Sequence, residues 1–141
     1  MTDIRLRACL AVIKEGKILL VPHYYPDHRP VEWFLPGGQI HFGEHFQAAA
    51  VREFLEETGL EAACDEMLGV AEEIEPDVPW HGVTIAFRGH IVGGTLNAEN
   101  SDYSQFGDKT PRWFSESELC GLRCNPQEMV EKAFKPSPQK G

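Results

Sequence analysis

Three glutamates, Glu53, Glu56 and Glu57, lie within five residues of a stretch from Phe46 to Thr58 that contains neither Gly nor Pro. That stretch reads as a helix ending at Gly59, which suits the left-handed position after a helix. At about 100° per residue the three carboxylates share an arc of about 100°. Like charges at i,i+3 and i,i+4 cost a few tenths of a kcal/mol per pair. A solvated acidic surface would explain such a cluster on its own; hard oxygens on one face also suit Mg²⁺ or Mn²⁺, with water and a phosphate completing the shell. Ala48, Val51, Leu55 and Thr58 are expected to form the buried face. Ala49 and Ala50 are expected to leave a bare rim beside the carboxylates.

Ahead of the helix, Pro36-Gly37-Gly38 reads as a turn where backbone can come close to a ligand and offer a carbonyl oxygen. From Gly38 onward the spacing is regular: five residues, Glu44, seven residues, then Arg52-Glu53-Phe54-Leu55-Glu56-Glu57-Thr58-Gly59-Leu60. Seven fixed residues would coincide by chance on the order of 10⁻⁸ per starting position. The segment resembles the Nudix box, and Phe54 takes a place where that family more often has an aliphatic residue. Trp33-Phe34-Leu35-Pro36-Gly37-Gly38 resembles the usual lead-in, and Trp113-Phe114-Ser115 resembles the family's C-terminal half.

The resemblance implies an α+β domain of Nudix fold, an α/β/α sandwich with a mixed central sheet and the box as loop-helix-loop. It implies a Mg²⁺-dependent (or Mn²⁺-dependent) pyrophosphohydrolase that cleaves a phosphoanhydride in a nucleoside diphosphate linked to another moiety. A (d)NTP, ADP-ribose or another nucleotide sugar would be the substrate. Metal ligands would be Glu53, Glu56 and Glu57, with the Gly37 or Gly38 backbone nearby and Glu44 joining through water. Glu53 or Glu57 would be the general base, and Arg52 would orient a glutamate. Where the family often has a glutamate three residues before the tryptophan, this chain has Thr110. Asp108 is then expected to supplement the metal site ahead of Asp102, with Glu99 a further candidate. Tyr24, Tyr25, Trp80 and Tyr103 are candidates to stack on a base. Trp33 and Trp113 are expected in the core, and His23, His28 and His41 at a pocket mouth.

A Nudix-fold module that binds a nucleotide without cleaving it is the competing reading, and it predicts erosion of glutamates that are intact here. An isomerase of the isopentenyl diphosphate type would want a catalytic cysteine and a degenerate box.

The rest of the chain must position this segment. Its 141 residues suggest one domain, 1–141, with 135–141 a frayed tail. Strands are expected over Arg5–Ile13 and Lys17–Tyr24 around a Lys14-Glu15-Gly16 turn. One or two more are expected over Glu61–Ile74, and another over His81–Val92 before a Gly93-Gly94 turn. Ser115 is expected to cap a short helix, and a last helix to run from Pro126 to Phe134. With 13 Lys+Arg against 22 Asp+Glu, the net charge of −9 argues against a nucleic-acid polymer as partner. A small nucleotide remains compatible if a metal supplies positive charge. The absence of a long apolar run, a leader pattern or zinc-type cysteine spacing leads to the expectation of a cytoplasmic protein with no membrane span and reduced thiols. A homodimer is the expected assembly if there is one.

Overall fold

The computed structural model describes residues 3–27, 29–96 and 107–137. His28, Glu99, Asp102, Tyr103 and the last residues of the expected tail lie outside them. Within them run β1 (Arg5–Lys14), β2 (Lys17–His23), β3 (Glu32–Phe34), β4 (Gly37–Gln39), α1 (Phe46–Thr58), β5 (Leu60–Glu75), β6 (Trp80–Gly94), β7 (Arg112–Ser115), β8 (Arg123–Asn125) and α2 (Gln127–Ala133). Among the described residues no helix is long and apolar enough to cross a membrane.

The β1–β2 turn has Glu15 at φ 52° and Gly16 at φ 78°, the two positive angles a tight two-residue hairpin demands. The hairpin pairs only at Ile13↔Ile18 and Lys14↔Lys17 before its arms part. Past that point β1 takes β4 on the vacated edge and β6, in parallel, on the other. The other arm, β2, pairs with β7 and then β3, and β3 continues in parallel to β8. The result is a curled, mixed sheet.

Alternation along β1 feeds two cores, since successive side chains point to opposite faces. Ala8, Leu10 and Val12 meet Ala49, Ala50 and Phe54 of α1. Cys9 and Ala11 face Met129, Val130 and Ala133 of α2. Helix, sheet, helix: the expected α/β/α sandwich is observed. Arg88 of β6 closes the end of α2, donating to the carbonyls of Ala133 (2.9 Å), Lys132 (3.3 Å) and Lys135 (2.8 Å). Helix-terminal carbonyls otherwise have no partner within the helix.

The strand expected after Glu61 is a single one, β5, of 16 residues starting at Leu60, with register shifts between Glu61 and Ala62, Cys64 and Met67, and Met67 and Gly69. Three expectations need correction. Gly93 and Gly94 extend β6, opposite Glu61 and Leu60, where they were expected to turn. Gly37 and Gly38 form strand β4 on β1; the expected turn gives way because the parted hairpin leaves β1 an edge to satisfy. Finally, α1 buries Ala49, Ala50, Phe54 and Thr58, while Leu55 is 43% exposed. The alanines are consumed in close packing on β1, so they leave no open rim. The carboxylates consequently border the buried face.

Ser115 and Glu118 exchange backbone-to-side-chain hydrogen bonds (2.8 and 3.3 Å), a reciprocal cap around the 3-10 turn Ser117–Leu119.

Candidate active site

Glu57 is half-buried where α1 crosses β4, and its Oε1 accepts the Gly37 amide at 2.7 Å. Burial pushes its carboxyl up to about 7, with repulsion from Glu53 and Glu56 adding to the effect; the Gly37 N–H and Arg7 oppose it. Glu53 lies against the next residue of the strand. A Cβ on Gly38 would come within 2.3 Å of the Glu53 carboxyl carbon, so only glycine lets this carboxylate rest on the sheet. The need for glycine is steric: neither Gly37 nor Gly38 has a positive φ, and what approaches so closely is the protein's own glutamate.

Arg52 ties the loop before the helix to the glutamates. It grips Glu44 with two hydrogen bonds (2.7 and 3.0 Å), reaches Glu53 at 3.1 Å and Glu56 at 3.2 Å, and donates to the Gln39 carbonyl at 3.1 Å. The planar guanidinium suits such a hub. Arg52 holds the Glu44 carboxyl down to about 2, helped by the His41 N–H, and the glutamates in turn raise the Arg52 guanidinium. Both Glu44 oxygens are therefore engaged. The Asp108 carboxylate accepts from the Thr110 N–H (2.9 Å) and hydroxyl (2.6 Å), which lowers its pKa. Its carbonyl accepts the Tyr24 hydroxyl at 2.7 Å. The structure thus joins Tyr24 to Asp108 and gives neither a contact with the glutamate row.

Among the described residues, no three acidic, His or Cys side chains close into a cage for an ion. An open rim of carboxylates still fits a divalent cation such as Mg²⁺, which keeps several waters and takes one or two carboxylates plus substrate phosphate. Of the two glycines expected to help, Gly37 already has its carbonyl on Arg7 Nη2, at 3.3 Å.

Arg7 marks the border with a cleft of about 800 Å³ on the α2 side of the sheet. Its floor is His23 stacked on Phe34, centroids 3.9 Å apart and 19° from parallel. Burial holds the His23 imidazole down to about 4, with Arg7 adding to the shift. Tyr25 and Trp80 both line the cleft; Tyr24 does not. One face of Tyr25 is covered by the Arg29 guanidinium, 4.1 Å from its centroid. His41 is exposed beside Glu44. Trp33 is buried edge-on to Phe114, and Trp113 packs at the margin of the α1-side core.

Polar residues of this cleft that escaped the sequence reading include Arg7, Glu32, Arg123 and Asn125. Arg7 had a signal, since it shares a strand face with Cys9 and Ala11. Glu32 and Asn125 had none, because a three-residue parallel pairing of β3 with β8 brings them together.

A model of the NUDIX domain matches residues 4–139. The chain belongs to the Nudix family. Over 92 residues it is 34% identical to "Putative 8-oxo-dGTP diphosphatase 2" of Mycobacterium tuberculosis, covering 64% of this chain and 63% of that one. Over 98 residues it is 35% identical to an ADP-ribose pyrophosphatase of Methanocaldococcus jannaschii, covering 67% and 56%. The chain thus spans less than two thirds of either relative's length. In three dimensions it resembles a NUDIX hydrolase from Nitrosomonas europaea (TM-score 0.71, 20% identity, 92% and 88% covered). It also resembles a MutT NUDIX hydrolase from Burkholderia pseudomallei (TM-score 0.71, 23% identity, 92% and 98% covered). These structural likenesses establish the Nudix fold.

Proposed function

We propose that this Nudix protein is a divalent-metal-dependent pyrophosphohydrolase that cleaves a phosphoanhydride bond in a nucleoside diphosphate linked to another moiety. The observation that carries the reading is a continuous path: the Glu53–Glu56–Glu57 row meets β4, and β4 meets Arg7 at the rim of an aromatic-floored cleft. A diphosphate laid along that path would have its charged end at the glutamates and its base in the cleft. The relatives support the class, one carrying the name "Putative 8-oxo-dGTP diphosphatase 2" and the other "ADP-ribose pyrophosphatase". A (d)NTP and a nucleotide sugar such as ADP-ribose are the substrates to test.

In this reading Glu53, Glu56 and Glu57 hold Mg²⁺, with Mn²⁺ as substitute. A divalent ion held there would supply charge to neutralise the diphosphate and to lower the pKa of a water. Arg52 keeps Glu53 and Glu56 aimed and offsets their mutual repulsion. Whichever of Glu53 and Glu57 keeps an oxygen off the metal would serve as the general base. Arg7 meets the phosphates between row and cleft. Glu44 and Asp108, with their carboxylates on Arg52 and Thr110, stand outside the immediate metal shell.

The test is phosphate release, with a coupling phosphatase, from (d)NTPs, oxidised dGTP, ADP-ribose, a UDP-sugar and a dinucleoside polyphosphate. Turnover of one substrate that EDTA abolishes is the expected result. No turnover with either Mg²⁺ or Mn²⁺ would replace this reading with that of a binding module.

A further inference from the structure

The cleft's polar groups bear on which base it takes. Alternation along β3 puts Glu32 and Phe34 on the cleft side and Trp33 in the core. The Glu32 carboxylate is held at both oxygens: Oε1 accepts the Tyr25 hydroxyl at 2.6 Å and Oε2 accepts the Asn125 amide at 3.1 Å. Each carboxylate oxygen offers about two acceptor sites, so one site per oxygen remains. Glu32 is therefore a braced pair of acceptors beside the stacked His23–Phe34 floor. Arg123, its partner in the β3–β8 register, lines the same cleft and supplies a cation with several donors.

An adjacent pair of acceptors flanked by a donor is met by one base in particular. Guanine carries N1–H and the N2 amino group side by side, with the O6 acceptor next in line. Adenine and cytosine each set an amino group beside a bare ring nitrogen, which would face a carboxylate oxygen lone pair to lone pair. Uracil places its one N–H between two carbonyls.

We propose that the cleft selects guanine nucleotides, with Glu32 accepting N1–H and N2–H of the base and Arg123 donating to O6. The inference rests on the nucleotide reading of this site and narrows it. GTP, dGTP, 8-oxo-dGTP and GDP-sugars share that edge, and a substrate panel containing all four separates them.

The test begins with the unaltered protein and three unreactive probes, GMP, IMP and AMP, by titration calorimetry with Mg²⁺ present. IMP differs from GMP only in lacking the N2 amino group. A site built around hydrogen bonds rejects an analogue that leaves them unmade, so GMP is expected to bind at least about tenfold more tightly than either. Glu32→Gln should bring the three within about threefold of one another. Tyr25→Phe, which removes one brace, should erode the preference only in part. Equal binding of GMP and AMP, no binding of GMP, or a preference that survives Glu32→Gln would overturn the assignment. If Glu32→Gln fails to fold, the GMP–IMP comparison decides alone. Selective GMP binding without hydrolysis of any nucleotide would sink the hydrolase reading and leave this one standing. Hydrolysis indifferent to the base would do the reverse.

Discussion

The glutamate row and the cleft meet at β4, yet they are held by different means. The row is built from one helix and the loop before it, and its carboxylates are fixed chiefly by a single arginine, Arg52, through ion pairs at 2.7 to 3.2 Å. The cleft gathers side chains from β1, β2, β3, β5, β6, β8 and α2, held by strand pairing, helix packing and ring stacking. Local construction keeps like charges together in spite of their repulsion. Long-range construction brings a stacking floor to a carboxylate nearly a hundred residues away from its Asn125 brace. Damage to the row should therefore appear in kcat, and damage to the cleft in KM.

The largest effect should come from Glu57→Gln, which keeps the shape but removes charge and basicity. Turnover is expected to fall by about 10³-fold or more with the fold retained by circular dichroism; a rate within tenfold of the parent would remove Glu57 from the mechanism. Next, Gly38→Ala should displace the Glu53 carboxylate, because the added Cβ has no room. A drop in kcat of about 10²-fold is expected, with little change in stability because the atoms in the way are the far end of a flexible side chain. A normal kcat would show that the Glu53 carboxylate need not rest on the sheet. Trp80→Ala, in the cleft, should raise KM about tenfold and leave kcat within threefold, as loss of base stacking would. A fall in kcat alone would break the division between the two regions.

The smallest effect is in the pH dependence of stability without metal, where the regions oppose each other. Glu57 is raised from 4.5 to about 7, so its contribution is complete below pH 4.5 and is lost as pH climbs through 7. His23 is lowered from 6.5 to about 4, so its contribution is complete above 6.5 and is lost as pH falls through 4. Allowing for partial exposure, each is worth on the order of 2 kcal/mol. Between pH 4.5 and 6.5 they largely cancel. Denaturant titrations in EDTA should show Glu57→Gln gaining stability with rising pH in that window and His23→Phe losing it. Parallel profiles for both variants would contradict the opposing shifts.

The same division governs what the sequence could disclose. The helix from Phe46 to Thr58, its stop at Gly59 and the β1–β2 hairpin were legible because their signals are local. The buried face of α1 was misjudged because alanine was counted as clearance; where Ala49 and Ala50 touch β1, a small side chain is what allows the contact. The turn assigned to Gly37-Gly38 failed for a tertiary reason, the edge that the parting hairpin exposes on β1. Glu32 and Asn125 carry no mark of their partnership in any window, since β3 and β8 are three residues each and pair only once the sheet has curled.

That ordering has a kinetic face, and Arg88 shows it. The seven residues of α2 are too few to persist as an isolated helix, for which about 12–15 are needed. Its terminal carbonyls find their donors on β6. The helix can therefore consolidate only after that strand is in place, and it should be among the first elements to exchange its amide hydrogens when the native molecule breathes. The wall it lends to the cleft is then expected to open early, ahead of the 13-residue helix that carries the glutamates.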